Sequence, residues 1–128
     1  MMIDPNARYV KTHEWAKRDG ELVTVGLTAY AIEQLGDIVY LELPEAGRTL
    51  KQGEMFGVIE SVKSASDMYA PVSGTVVEVN SPISDNPDSL KQDVYEQGWM
   101  IKIEPSDVSE LDGLRDADAY RTFLETEA

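Results

Sequence analysis

Lys63 is the residue whose neighbours in the sequence point most directly to chemistry. Two β-prone runs, at residues 58–62 and 68–72, flank it, and small or polar side chains fill the interval between them. This pattern predicts a tight turn between two strands with the lysine at its tip. A lysine held at the tip of a rigid turn is accessible to another protein.

Two interpretations of Lys63 follow from its own surroundings. A nucleophilic or Schiff-base lysine needs desolvation or a nearby cation, because its amine must lose a proton. Glu60 and Asp67 are acidic instead, and no other cationic residue lies within ten positions on either side. Direct amine catalysis is therefore disfavoured. A solvated surface lysine and a lysine acylated by another enzyme both stay open at this point.

The motif around Lys63 closely resembles the lipoyl-attachment motif of glycine cleavage system H proteins. From Glu60 to Gly74 the chain follows the pattern Glu-Ser-Val-Lys-x-x-Ser-Asp-x-Tyr-x-Pro-x-Ser-Gly without a gap. The flanking Val62 and Ser64 differ from the Asp-Lys-Ala of 2-oxo-acid dehydrogenase lipoyl domains and the Met-Lys-Met of biotin carriers. The likeness extends in order and spacing to residues 12–15, 25–28, 35–37, 42–47 and 98–103.

This resemblance implies a carrier that has no catalytic activity of its own. A lipoyltransferase or lipoate ligase would attach lipoate to Lys63 as an amide. The carrier would take the aminomethyl group of glycine from the pyridoxal-phosphate glycine decarboxylase (P protein) to the tetrahydrofolate-dependent aminomethyltransferase (T protein). Dihydrolipoamide dehydrogenase (L protein) would then reoxidise it.

Two alternatives to this function stay open. One is an H-like relay carrier that supplies lipoyl groups to 2-oxo-acid dehydrogenase complexes, because the same motif would serve both purposes. The other is a binding module whose lysine is never modified. A self-contained enzyme is disfavoured, because the chain has no cysteine and only one histidine.

The resemblance also implies roles for four further residues. Glu60 would assist recognition by the lipoylating enzyme. Glu14, Asp67 and Gln34 would lie in the cleft that receives the loaded arm, where a carboxylate can hydrogen-bond a cationic amine. Gln34, like Tyr30, stands where some members carry histidine, and glutamine cannot titrate. The competing interpretation is that Glu60, Glu14 and Asp67 are ordinary surface acids, since the chain has 24 Asp and Glu residues.

Composition limits the class of protein and of partner. A chain of 128 residues is long enough for one domain with its own core. Without cysteine, and with His13 alone, it offers no disulfide and no Cys- or His-rich metal site. A net charge of −13 disfavours nucleic acid and anionic membranes, and predicts a monomer whose partner enzymes have basic surfaces. Residues 1–6 lack signal-peptide features and no apolar run spans a bilayer, which predicts a bacterial cytoplasmic protein.

The periodicity of the chain predicts a mainly β protein. Thr28 is a suitable N-cap for a short helix that ends near Leu35, with Gly36 as its stop. Residues 38–43 alternate between two sets, with Ile38, Tyr40 and Glu42 in one and Val39, Leu41 and Leu43 in the other. This alternation predicts a strand with one well-buried face. The remaining predictions are strands at 8–10, 15–17, 22–27 and 99–103, a helical turn at 86–90, and a helical segment broken near Gly113.

The resemblance makes this prediction more specific. It implies a flattened barrel or sandwich of two small antiparallel sheets, the barrel-sandwich hybrid fold of lipoyl and biotinyl carriers. Short helices and a C-terminal helical segment would accompany the sheets. Residues 1–128 would form a single lipoyl-carrier domain, with a core at about 22–104 and the helical segment at about 106–126. Closure of the two sheets is expected to remove exposed strand edges.

Overall fold

The computed structural model describes residues 3–127. Within this range the chain forms nine strands, three α-helices and two 3-10 helices. The strands are β1 (Arg8–Tyr9), β2 (Glu14–Asp19), β3 (Leu22–Leu27), β4 (Ile38–Glu42), β5 (Thr49–Leu50), β6 (Met55–Ser61), β7 (Ala65–Tyr69), β8 (Gly74–Val79) and β9 (Ile101–Pro105). The α-helices are α1 (Ala29–Leu35), α2 (Ser81–Asp85) and α3 (Ala117–Thr126), and the 3-10 helices are Pro87–Lys91 and Val108–Gly113.

The strands are arranged in two antiparallel sheets. A large sheet has the order β1-β2-β3-β9-β8-β5, and a small sheet has the order β4-β6-β7. The small sheet holds the hairpin that connects β6 to β7. The mainly β class with two antiparallel sheets is therefore confirmed, as are the short helices and a C-terminal helix.

The two sheets are not joined into a closed barrel, so the expected closure of their edges is not observed. Carboxylates satisfy backbone donors on both edge strands of the small sheet. Asp88 Oδ1 accepts a hydrogen bond from the Ile38 N–H at 3.4 Å, and Glu14 Oε2 accepts one from the Tyr69 N–H at 3.0 Å. These two donors therefore have partners although no further strand pairs with either edge.

The predicted alternation in β4 is wrong in detail. The buried residues of β4 are Ile38 and Leu41, whereas Val39 and Tyr40 are exposed. The cause is a β-bulge, since the pairing with β6 shifts register between Ile38 and Tyr40. The extra residue reverses which side chains face the core, as expected for a strand of period two.

One hydrophobic cluster contains side chains from both sheets and from α3. Tyr9, Trp15 and Tyr120 are among its largest fully buried members, and Phe56 and Ile59 enter it from the small sheet. Trp15 is buried, while Trp99 is half-buried with the Lys102 ammonium 5.1 Å from its ring centre. Burial of this apolar surface is the main force that holds the layers together.

Helix α1 begins and ends where the sequence predicts. Thr28 has an extended backbone, and its Oγ1 accepts a hydrogen bond from the Ala31 N–H at 3.2 Å. Gly36 follows the last helical residue with φ of 82°, a left-handed conformation that favours glycine. The predicted turn at residues 86–90 is the 3-10 helix Pro87–Lys91, although Asn86 makes no capping side-chain bond. Helix α2 was not predicted.

Candidate functional site

The turn between β6 and β7 places Lys63 at its tip, as predicted. Ser61 and Ser64 close this turn, and Val62 and Lys63 lie between them. The Ser61 N–H donates to the Ser64 carbonyl at 2.7 Å, and the Ser64 N–H donates to Ser61 Oγ at 3.1 Å. The buried Ser61 hydroxyl thereby accepts the bond that a backbone carbonyl accepts in an ordinary β-turn.

The Lys63 side chain is exposed, and within residues 3–127 it makes no hydrogen bond or ion pair. Three lysines, Lys17, Lys91 and Lys102, each pair with an aspartate, whereas Lys11 and Lys51 resemble Lys63 in forming no ion pair within residues 3–127. The amine at the tip of this turn is therefore accessible at the surface of the protein.

The tip of the hairpin is attached to the residues that follow α1. The Val62 N–H donates to the Asp37 carbonyl at 3.0 Å. The Asp37 carboxylate pairs with Lys91, and this pairing lowers the pKa of Asp37 and raises that of Lys91. Asp88 lies 3.5 Å from the same ammonium and also bonds the start of β4. These contacts fix the turn relative to α1 and to the 3-10 helix Pro87–Lys91.

Glu60 lies on the face of the small sheet that points away from the core. It is half-buried and stands opposite Tyr40 of β4 and Ala65 of β7. Directly paired residues of antiparallel strands point to the same side of a sheet, so Glu42 and Asp67, which both pair with Val58, share this face. The outer face near Lys63 is therefore acidic.

Glu14 is completely buried, with 0% of its surface exposed. Its Oε2 accepts the Tyr69 N–H at 3.0 Å, and its Oε1 accepts a hydrogen bond from the Thr12 hydroxyl. Burial raises the pKa of the Glu14 carboxyl to about 7, and the two hydrogen bonds oppose this shift without cancelling it. The residue joins the large sheet to the edge of β7.

The remaining cleft candidates are both exposed. Asp67 lies in β7, two residues before the Tyr69 N–H that Glu14 binds. Gln34 is in the last turn of α1, three residues before Asp37 and its bond to the hairpin. The structure thus bonds Glu14 to the strand that contains Asp67, and it attaches the segment that follows Gln34 to the turn beside Lys63.

His13 belongs to an aromatic cluster beside the start of α1. Its Nδ1 is 2.8 Å from the Tyr120 hydroxyl, which is also 2.9 Å from Thr28 Oγ1. Its ring packs edge-on against Tyr30, with 4.7 Å between the ring centres. Burial lowers the pKa of His13, which favours its neutral form. These contacts attach α3 to the N-terminus of α1.

Sequence reasoning missed four residues that position the site. They are Thr12, Asp37, Ser61 and Lys91. For Ser61 a local signal exists, because a serine three residues before the end of a turn often bonds its backbone. Thr12 bonds Glu14 only two residues along the chain, whereas Asp37 and Lys91 are 54 residues apart and nothing near either of them in the sequence marks the other.

A large cavity among the described residues lies away from the hairpin. It has a volume of about 1010 Å³ and is bordered by residues 3–6, by one side of α1 and by residues 90–96. Lys63, Glu60, Asp67, Glu14 and Gln34 are not among its lining residues. Residues 3–127 also hold no group of three or more His, Cys, Asp or Glu that could bind a metal ion.

Two packed antiparallel sheets with one exposed lysine on the hairpin of the smaller sheet are the architecture of lipoyl- and biotinyl-carrier domains. The family model for glycine cleavage H-protein matches residues 7–127. The chain belongs to this family, and it is a non-catalytic lipoyl carrier of the glycine cleavage system.

Individual relatives agree with this assignment. The glycine cleavage system H protein of Anaeromyxobacter sp. (strain K) is 53% identical over 125 residues, covering 98% of each chain. An H protein of Thermus thermophilus is 50% identical over 128 residues, covering 100% of each. A crystal structure of the H protein from Mycobacterium marinum matches with a TM-score of 0.89 at 36% identity, over 96% of this chain and 99% of that one. No helix in residues 3–127 is long and apolar enough to span a membrane.

Proposed function

We propose that Lys63 is the residue that carries lipoate, joined through an amide bond to its Nζ. The observation that carries this proposal is the exposed, unpaired amine at the tip of a turn that Ser61 closes with two hydrogen bonds. A fixed turn reduces the conformational entropy that a modifying enzyme must remove on binding. An unpaired amine requires no ion pair to be broken first.

These residues fit a lipoyl group. When bound, its dithiolane ring supplies a disulfide that can accept and release the aminomethyl group. The protein contributes position only, since a tether raises the effective concentration of the arm at each partner's active site. The acidic neighbours Glu60 and Asp67 do not contact the amine, so they leave it free for acylation.

Glu60 serves in recognition by the lipoylating enzyme, in this proposal. It is half-buried on the outer face of β6, three residues before Lys63, with its carboxylate directed away from the core. A basic group of the enzyme can reach it there. Glu60→Gln should slow lipoylation, whereas Glu78→Gln, an exposed acid on β8 of the large sheet, should not.

The loaded arm is proposed to rest near Asp67 and Gln34, which are both exposed. The Asp67 carboxylate can accept a hydrogen bond from a cationic amine, and the Gln34 amide can both donate and accept. Glu14 is buried and bonded to Tyr69, two residues after Asp67, so it takes part either after the Thr12 hydroxyl moves aside or through its bond to Tyr69.

The partners in this proposal are glycine decarboxylase (P protein), aminomethyltransferase (T protein), dihydrolipoamide dehydrogenase (L protein) and a lipoyltransferase or lipoate ligase. We also propose that residues 1–128 are one domain, supported by the single core cluster that includes Ala7, Phe56 and Tyr120. A bacterial cytoplasmic location stays a prediction, supported by the bacterial sources of the relatives. Cell fractionation tests it.

The attachment site is tested by intact mass measurement. The protein is incubated with lipoate, ATP and a lipoate ligase, beside the Lys63→Arg variant and Lys51→Arg as a control. One added lipoyl group on the wild type and on Lys51→Arg, absent from Lys63→Arg, supports the proposal. A folded wild-type protein that gains no mass, or a Lys63→Arg variant that gains the same mass, contradicts it.

A second experiment separates glycine cleavage from lipoyl relay. The lipoylated protein is mixed with glycine decarboxylase and labelled glycine, and in a parallel sample with a lipoyl domain and a lipoyltransferase. Label on the carrier indicates the glycine cleavage function. Transfer of the lipoyl group to the other domain, without label from glycine, would favour the relay carrier.

A further inference from the structure

Three apolar side chains are exposed beside the Lys63 turn. They are Val62, Val39 and Tyr40, with 76%, 60% and 45% of their surface exposed, and together we call them the hairpin patch. They are adjacent because the Val62 N–H bonds Asp37, next to the start of β4, and Tyr40 pairs with Glu60 of β6. Scattered exposed apolar residues are normal in proteins, but three adjacent ones beside a modification site are a candidate contact surface.

The fold itself causes this exposure. The β-bulge between Ile38 and Tyr40 buries Ile38 and turns Val39 outward, although a regular strand would bury one complete alternating set. Val62 lies between the two serines that close the turn, where its side chain has no core to enter. Val62 is held by its backbone bond to Asp37, and Val39 lies between two paired residues of β4, so a partner that covers them removes little conformational entropy.

The surroundings of the hairpin patch are acidic. The strands β4, β6 and β7 contain Glu42, Glu60 and Asp67 on their outer face and no lysine or arginine. Lys63 at the tip is the acceptor itself, and nearby Lys91 is paired with Asp37 and Asp88. A partner surface that complements the hairpin patch has an apolar centre surrounded by lysine or arginine side chains.

We propose that the hairpin patch is the surface on which the lipoate-attaching enzyme docks. This inference rests on the proposed modification of Lys63. Before acylation the carrier has no arm, so the enzyme must bring its active site within one lysine side chain of the turn. Its surface then necessarily covers the neighbours of Lys63. Enzymes that act on the loaded arm work from a greater distance and need this contact less.

The test is the kinetics of lipoylation by a lipoate ligase at saturating lipoate and ATP, with the carrier varied. In Val39→Ser/Val62→Ser the KM for the carrier should rise about tenfold, equivalent to about 1.4 kcal/mol, with kcat within about twofold of wild type. Val77→Ser is the matched control, because Val77 is 42% exposed on β8 of the large sheet. Its KM should equal that of the wild type.

Salt dependence tests the acidic surroundings. The wild-type KM should rise as ionic strength increases, and the rise should be smaller in Glu42→Gln, which removes one charge from the outer face. Far-ultraviolet circular dichroism of every variant should match that of the wild type, since the substituted side chains are exposed. A KM that falls or stays constant with salt contradicts the charge argument.

The outcomes distinguish this inference from the function on which it rests. If wild-type Lys63 is never acylated, the proposed function fails. If the wild type is acylated and Val39→Ser/Val62→Ser behaves like Val77→Ser, only the docking surface is wrong. A fall in kcat at unchanged KM would also overturn it, by showing that the patch merely positions Lys63. So would a wild-type dimer in sedimentation that the double substitution dissociates, because the patch would then join two copies of this chain.

Discussion

Glu14 is the residue whose chemistry depends most on the fold around it. Nothing near it in the sequence indicates burial, yet it lies between the sheets with both carboxylate oxygens hydrogen-bonded. A buried carboxylate without an ion pair is costly when charged, because the interior solvates it poorly. Burial therefore raises the pKa of Glu14 to about 7, so the neutral form predominates in mildly acidic solution.

This pKa predicts a pH-dependent stability. Between the ordinary value of 4.5 and about 7 the folded protein holds a proton that the unfolded chain has released. The contribution of Glu14 is therefore complete below pH 4.5 and is lost as the pH rises through 7. In Glu14→Gln the amide oxygen can accept the Tyr69 N–H and the amide nitrogen can donate to Thr12. The free energy of unfolding of Glu14→Gln should then decrease less steeply with rising pH than that of the wild type. The two slopes should differ by up to about 1.4 kcal/mol per pH unit.

Urea unfolding at several pH values between 4.5 and 7.5 measures this difference. Asp37, Glu54 and Asp107 have lowered pKa values and act in the opposite direction, so the comparison with wild type isolates Glu14. Glu45→Gln, an exposed acid near the start of β5, serves as the control and should parallel the wild type. Parallel curves for Glu14→Gln as well would contradict the shifted pKa.

At the scale of the elements, β4 and β6 of the small sheet, which supports the Lys63 turn, pack unusually close together at Gly57. A Cβ at Gly57 would lie 2.3 Å from the Glu42 carbonyl oxygen, which is far inside van der Waals contact. The obstacle is backbone, so no side chain can rotate away. The glycine is therefore required by packing rather than by a special backbone conformation.

Gly57→Ala should lower the free energy of unfolding by at least about 2 kcal/mol, because the two strands must separate to admit the methyl group. Gly113→Ala is the matched control, since nothing lies within 4 Å of a Cβ there. It should stay within about 0.5 kcal/mol of wild type. Chemical denaturation measures both, and equal stability of the two variants would refute the packing argument.

The attachment of helix α3 to the rest of the fold depends on one hydroxyl group, that of Tyr120. The Tyr120 hydroxyl contacts both His13 and Thr28, and Thr28 caps α1. Tyr120→Phe removes these bonds while keeping the stacked ring, which lies 4.5 Å from that of Tyr9. The loss should be about 1–2 kcal/mol, because buried donors and acceptors are left unpaired.

Thermal unfolding and hydrogen exchange of the α1 amides measure the effect of Tyr120→Phe. Tyr30→Phe is the matched control, since the Tyr30 hydroxyl makes no hydrogen bond within residues 3–127. Its stability should lie within about 0.5 kcal/mol of wild type. Unchanged exchange at the start of α1 in Tyr120→Phe would show that α3 does not support the cap.

For the whole molecule the dominant property is its net charge of −13. Such a charge makes copies of the protein repel one another and attracts enzymes with basic surfaces. The repulsion predicts a monomer of 14.2 kDa in sedimentation experiments at low salt. A dimer under these conditions would contradict this prediction.

The same charge predicts salt-sensitive encounters with partner enzymes. The kcat/KM of dihydrolipoamide dehydrogenase for the reduced lipoylated protein should fall as salt rises from about 0.05 to about 0.5 M, because screening weakens long-range attraction. Free dihydrolipoamide is the control, since it is uncharged and its rate should change little. If both substrates respond alike, salt acts on the enzyme and the attraction is absent.

The sequence by itself determined the local features of this protein. The turn that carries Lys63, the bounds of α1 between Thr28 and Gly36, and the mainly β class could all be predicted. Each depends on residues a few positions apart, whose conformational preferences act within a single turn or strand. The motif around Lys63 is local in the same sense, and this is why the family could be recognised from it.

Tertiary structure decided the rest. It brought the Glu14 carboxylate to the Tyr69 N–H, 55 residues away, and the Tyr120 hydroxyl to that of Thr28, 92 residues away. It also introduced the bulge that buries Ile38 and exposes Val39 beside the lysine. These outcomes depend on which strands pair and in what register, and register is a property of two segments together. No pattern within either segment specifies it, so the environment of the lysine exists only in the folded chain.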